Sequence, residues 1–133
     1  MSAEQALKSS HVITGIMLIC QGLALVILPQ FTTKLLLLSP LETAQAVQYA
    51  RTTGLAVVVI GYYYCVAGKC GLISFFRASI IGRLTLLPAV LAMIYFFSIE
   101  TPLIIFGIQD LMTAMWSYAC LKAYDKEQSK LKK

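Results

Sequence analysis

Charge is what this sequence has least of. Of its 133 residues only 13% are charged, eleven bases and six acids, where a soluble domain carries about a quarter. So few charges cannot cover a water-facing surface, which sets aside a soluble helical bundle. Histidine and tryptophan occur once each. A lone histidine excludes a zincin pair, and no glycine-rich phosphate loop or serine elbow is present. The four cysteines, Cys20, Cys65, Cys70 and Cys120, make no Cys-x-x-Cys. No metal site or cofactor is therefore expected. No internal repeat or linker divides the chain.

Apolar residues fill the space that charge leaves. They make up 59% of the chain, and the mean hydropathy is +0.78. Apolar runs of about 17 to 25 residues with few charges read as membrane helices. Four such runs stand out: 12–28, 47–68, 79–97 and 102–121. The expected fold is all-α, a polytopic four-helix transmembrane bundle forming one domain over 1–133, with a short basic tail at 122–133. The first run has only Lys8 before it, offset by Glu4, and it ends in Val-Ile-Leu-Pro. It is expected to be an uncleaved helix, not a signal peptide.

Basic residues near helix ends favour the cytoplasmic side. Lys69 and Arg77 flank the second loop, and Lys122, Lys126, Lys130, Lys132 and Lys133 follow the last run. The third loop has Glu100 and no base. Both termini are thus expected in the cytoplasm or its organellar equivalent. A bacterial inner membrane and a eukaryotic endomembrane are both open. The net charge of +5 calls for no nucleic acid, because a basic tail anchors against anionic headgroups.

Local signals suggest where helices begin. Ser39-Pro40-Leu41-Glu42 matches a capping box and predicts that the second helix starts near Pro40. Thr101-Pro102 is a weaker start of the same kind. Leu35–Leu38 is expected along the outer interface, and Pro88 should kink the third helix or free a carbonyl there.

Helices in lipid associate through small residues and polar contacts. Gly54, Gly61 and Gly68 recur every seven residues, Gly15 and Gly22 repeat that spacing, and Gly107, Asp110, Ala114, Ser117 and Leu121 share one face. These are expected packing seams, with a ligand groove between helices as the alternative. Three charges interrupt the runs: Arg51, Arg83 and Asp110. Each costs at least about 2.5–3.5 kcal/mol at the bilayer centre. From the loops, Asp110 lies about 12 Å and Arg51 about 6 Å below one boundary, and Arg83 about 9 Å from the other. The expected pair is Arg51 with Asp110, with Gln21 nearby, while Arg83 snorkels beside Tyr62–Tyr64. Such a pair either fixes helix register or serves a substrate or proton. Tyr62–Tyr64, Tyr95–Phe97, Trp116 and Tyr118 fit aromatic belts. His11 is expected as an interface anchor, and Cys70 as a possible palmitoylation site.

Ala50-Arg51-Thr52-Thr53-Gly54, Gly61-Tyr62-Tyr63-Tyr64, Phe75-Phe76-Arg77 with Gly82-Arg83, and Phe106-Gly107-Ile108-Gln109-Asp110 occur in this order. Over residues 47 to 121 the chain resembles a family of small, largely uncharacterised four-helix integral membrane proteins. The Ala-Arg-Thr-x-Gly piece is also similar to the four-helix membrane scaffold of sterol biosynthesis. Neither resemblance supplies catalytic residues. The expected role is a scaffold or accessory subunit, partnered by the lipid bilayer and by a membrane protein or further copies of itself. The alternatives are a small enzyme acting on a lipid, sterol or quinone, and a proton-coupled transporter centred on Asp110.

Overall fold

The computed structural model describes residues 2–131. The chain is all-α. Its elements are α1 (Ala3–Ile27), α2 (Pro29–Leu35), α3 (Ala44–Cys70), α4 (Ile73–Phe97), a 3-10 turn (Thr101–Leu103) and α5 (Ile104–Leu131). α1, α3, α4 and the last unit, Thr101–Leu131, are each long and apolar enough to cross a membrane. The four expected spans are all present, each longer than its apolar run.

The helix ends explain the extra length. Ser2, in extended backbone, caps α1 by accepting from the Gln5 amide, so α1 starts nine residues before Val12. At the other end α5 runs through the expected basic tail as continuous helix to Leu131. Lys132 and Lys133 lie outside the described residues. The expected capping box does not start α3. Thr43 caps it instead, accepting from the Ala46 amide at 3.0 Å. The Ser39 amide is engaged elsewhere, donating to the Glu100 carboxylate at 2.6 Å. A contact between two loops has outcompeted a local cap. The stretch after the first apolar run forms α2, a short helix opening on Pro29 that ends within the leucines expected at the interface.

Between α3 and α4 there is room for only two residues. Gly71 adopts φ +67, which glycine permits without the penalty other residues meet. Its amide and that of Leu72 donate back to the Gly68 and Ala67 carbonyls, the two bonds of a Schellman turn. α4 then runs unbroken through Pro88. The proline has no N–H, so the Leu84 carbonyl loses its helical donor.

α1 and α3 are the closest pair, and glycine is the reason. A Cβ on Gly15 would lie 2.7 Å from the Gly61 carbonyl oxygen, and one on Gly22 2.6 Å from that of Gly54. A Cβ on Gly68 would meet the Lys8 carbonyl at 3.0 Å. The matched positions, 8 with 68, 15 with 61 and 22 with 54, step by seven residues in opposite directions. The helices are therefore antiparallel, in one register, with backbone against backbone. α5 packs on the other side of α1, and α4 packs on α5, where Gly107 makes room for Leu87. Of the five residues expected on the seam of α5, Gly107, Ala114, Ser117 and Leu121 are buried and Asp110 is half-buried.

The bundle has two unlike ends. At one, an apolar plug of Leu7, Ala67, Phe76, Ile80 and Leu121 draws all four long helices together. The Ala3 amide donates to the Glu127 carboxylate at 3.2 Å there, so the described termini are neighbours. Towards the other end α4 keeps α5 as its neighbour, through Leu87 against Gly107, and buries no side chain fully. Its buried residues are Phe76, Ile80 and Arg83, and none lies beyond Arg83. Outward-facing side chains along the bundle are large and apolar, among them Ile13, Leu55, Ile81, Leu91 and Met112. So wide an apolar surface fits lipid and not water.

Candidate functional site

A polar cluster lies one turn inside the apolar plug. Its members come from all four long helices: Ser10, His11 and Thr14 from α1, Tyr64 from α3, Ser79 and Arg83 from α4, Ser117 from α5. Ser10, His11 and Ser117 are completely buried. α1 places its three at spacings that share a helical face, directly below Gly15.

The His11 ring is held from both sides. Nδ1 lies 3.2 Å from the Leu7 carbonyl oxygen and Nε2 lies 3.0 Å from Ser79 Oγ. Nδ1 also lies 3.3 Å from Ser10 Oγ, and the Ser79 hydroxyl donates to the Phe76 carbonyl at 3.0 Å, so both ring nitrogens are paired whichever one carries the proton. Phe76 covers the ring, with centroids 4.0 Å apart. The expectation of an interface anchor is corrected: His11 is in the middle of the bundle.

Arg83 lies beside it. Nη2 donates to Ser117 Oγ at 3.1 Å, and Nε reaches the Ser79 carbonyl at 3.4 Å. The guanidinium carbon stands 5.4 Å from the centre of the Tyr64 ring, a distance at which the ring face attracts a cation. The Ser10 hydroxyl is 3.2 Å from that of Ser117, so α1, α5 and α4 are joined in one chain of polar contacts. Arg83 is 5% exposed. It does lie beside a tyrosine, as expected, but it does not snorkel to a headgroup, because the plug closes that route. Tyr64 correspondingly leaves the aromatic belt and is buried, whereas Tyr62 and Tyr63 remain outside.

Among the described residues there are two ion pairs, and the expected Arg51–Asp110 pair is neither of them. Lys8 pairs with Glu4, and Arg77 with Asp125, both at 2.6 Å. Arg51 is exposed and lines a groove of about 370 Å³ with Ile27, Pro29, Phe31 and Val47. The correction has a topological cause. α3 packs on one side of α1 and α5 on the other, so a small difference in depth does not bring Arg51 and Asp110 together. Asp110 instead lies near Arg83, close enough for their charges to act on one another, without a hydrogen bond or ion pair between them.

Gln21 finds a different partner. Its Nε2 donates to Gln109 Oε1 at 2.7 Å, and Gln109 Nε2 donates back at 3.2 Å. This reciprocal pair of amide hydrogen bonds ties α1 to α5 next to Asp110. Gln109 carried no signal of its own beyond its place beside that aspartate. The expected packing glycines Gly54, Gly61, Gly68 and Gly107 are all buried against a neighbouring helix.

The cluster contains two serine–imidazole contacts, Ser79 at Nε2 and Ser10 at Nδ1, one buried cation, and no carboxylate bonded to either. No group of metal-ligating residues occurs among the described residues. A second groove, of about 450 Å³, lies at the far end between Leu35–Leu37 and Thr101–Ile108, away from the cluster. No protein-family model, curated protein or solved structure matches the chain.

Proposed function

We propose that the chain is a multi-pass membrane protein with both termini cytoplasmic, acting as a non-enzymatic scaffold or accessory subunit. The observation that carries this reading is how its internal polar groups are used. Gln21 is spent on Gln109, Ser10 on Ser117 and His11 on Ser79. Groups tied up in helix-to-helix bonds specify a bundle, and they are poorly placed to meet a substrate. The α5 extension offers a contact surface, with Lys122, Lys126 and Lys130 exposed. The test is purification from native membranes in a mild detergent, followed by native mass spectrometry. The expected result is a stoichiometric complex with one other membrane protein or with further copies of this chain. Recovery only as a monomer, whatever the detergent, overturns it.

A second reading, a small membrane enzyme acting on a lipid ester, is favoured by one observation. Ser79 Oγ meets an imidazole nitrogen whose opposite nitrogen is fixed by a carbonyl. Those are the residue types of acyl transfer, without the orienting carboxylate and with the Ser79 hydroxyl donated to the Phe76 carbonyl at rest. A fluorophosphonate probe separates the two. Labelling of wild type that is lost in Ser79→Ala supports the enzyme, and absence of labelling supports the scaffold.

A further inference from the structure

Arg83 Nη1 is buried and has no hydrogen-bond partner among the described residues. It belongs to a side chain that is only 5% exposed. Every other contact of that guanidinium is to a neutral group: the Ser79 carbonyl, the Ser117 hydroxyl and the Tyr64 ring. By helix rise Arg83 is about 15 Å from the start of α4 and about 21 Å from its end, midway through a span. A cation there, with both Nη1 hydrogens and one of Nη2 idle, is costly unless an anion completes it. Asp110 is the nearest acid, yet it makes no bond to Arg83, and Arg83 leans the other way, towards Ser79 and Ser117.

We infer that Arg83 binds the carboxylate of a membrane-dissolved amphiphile, a free fatty acid or a molecule of that chemistry. The free edge of the guanidinium, Nη1 with the second hydrogen of Nη2, matches the two oxygens of a carboxylate. The direction of approach selects the amphiphile over a soluble anion. Towards the terminal end the site is sealed by Leu7, Phe76 and Leu121, which are 0%, 0% and 6% exposed. Towards the bilayer α4 has no fully buried residue beyond Arg83 and packs on α5 alone, through Leu87 against Gly107. Pro88 weakens α4 one turn past the arginine by removing a helical bond. The acyl chain then lies along the outward side of the far half of α4, away from the Leu87–Gly107 contact, with its head turned in to Nη1. Asp110 repels that head and sets the affinity from above.

The inference is independent of the scaffold reading. The test measures thermal stability of the purified protein in a mild non-ionic detergent, with oleate, oleyl alcohol or inorganic phosphate as probe. Oleate is expected to raise Tm in a saturable way, while oleyl alcohol and phosphate do not. Asp110→Asn should tighten the oleate response several-fold, and Arg51→Gln should leave it unchanged. Arg83→Gln should weaken it tenfold or more, the loss expected for a charge-assisted hydrogen bond. If Arg83→Gln does not fold, the comparison of oleate with its neutral alcohol in wild type still decides. Equal responses to the two, or a response to phosphate alone, overturn the proposal.

Discussion

At the scale of single residues, the amide pair between α1 and α5 gives the cleanest test of what holds the bundle. Each glutamine uses its partner as both donor and acceptor, so removing one leaves the other unsatisfied in a dry seam. Interhelical bonds of this kind average about 0.6 kcal/mol and reach about 1.7. Gln21→Leu and Gln109→Leu should each lower stability by about that range, measured by reversible unfolding in mixed micelles. The double substitution should recover most of the loss, since no orphaned amide remains. Arg51→Gln should change stability by no more than about 0.5 kcal/mol, as expected of an exposed side chain. A large loss at Arg51 would restore the pair that depth alone suggested. Depth was legible in the sequence because it follows from counting residues. Angle around the bundle was not, because nothing local says which helix neighbours which. His11 was misplaced for the same reason, as its ring partner lies 68 positions away. A better signal was present in the chain: Leu7, His11, Thr14 and Gly15 share the face that packs.

Among the elements, the glycines repeated every seven residues carry the most information, and their spacing is plain in the sequence itself. A small residue at that spacing on two adjacent runs specifies an antiparallel contact with a single register. Only the matching of one ladder to the other, Gly15 to Gly61 and Gly22 to Gly54, depends on how the helices dock. The end of α3 was legible too, in Gly68 to Gly71. Its start was not, because a loop contact with Glu100 took the amide that the capping box required. The ladder makes a sharp prediction through its contrast with Gly82, where a Cβ would meet nothing within 4 Å. Gly61→Ala forces a methyl against the Gly15 carbonyl at 2.7 Å, so the helices must part, at a cost of about 1–3 kcal/mol. Gly82→Ala meets open space and gains helix propensity, up to about 1 kcal/mol. Thermal unfolding of the two variants should therefore move in opposite directions from wild type. A comparable loss in both would mean that α1 and α3 do not touch through glycine.

The whole molecule is polarised in charge as well as in packing. At the terminal end are Lys8, Lys69, Arg77, Lys122, Lys126 and Lys130 against Glu4, Asp125 and Glu127. All three of those acids are already engaged, by Lys8, Arg77 and the Ala3 amide. At the opposite end Lys34 and Arg51 are balanced by Glu42 and Glu100. Only the first end has lysines left over, so the positive-inside bias acts on one side of the bundle. The half of α4 that packs on α5 alone is at the balanced end and the plug is at the basic end, so compaction and charge share a direction. In a cysteine-free background, Ser2→Cys and Leu131→Cys should react alike with a membrane-impermeant maleimide in right-side-out vesicles: both protected until the membrane is opened. Ser98→Cys, in the turn after α4, should label at once. Adding bases to the balanced end, as Ser98→Lys with Glu100→Lys, while replacing Lys69 and Lys122 with Gln, removes the asymmetry. That variant should insert in mixed orientation, with both termini of any one molecule still on the same side. Labels on opposite sides in wild type would mean an odd number of crossings. The short contact between Ala3 and Glu127 would then be impossible, and the antiparallel order of α1, α3, α4 and α5 would fail with it.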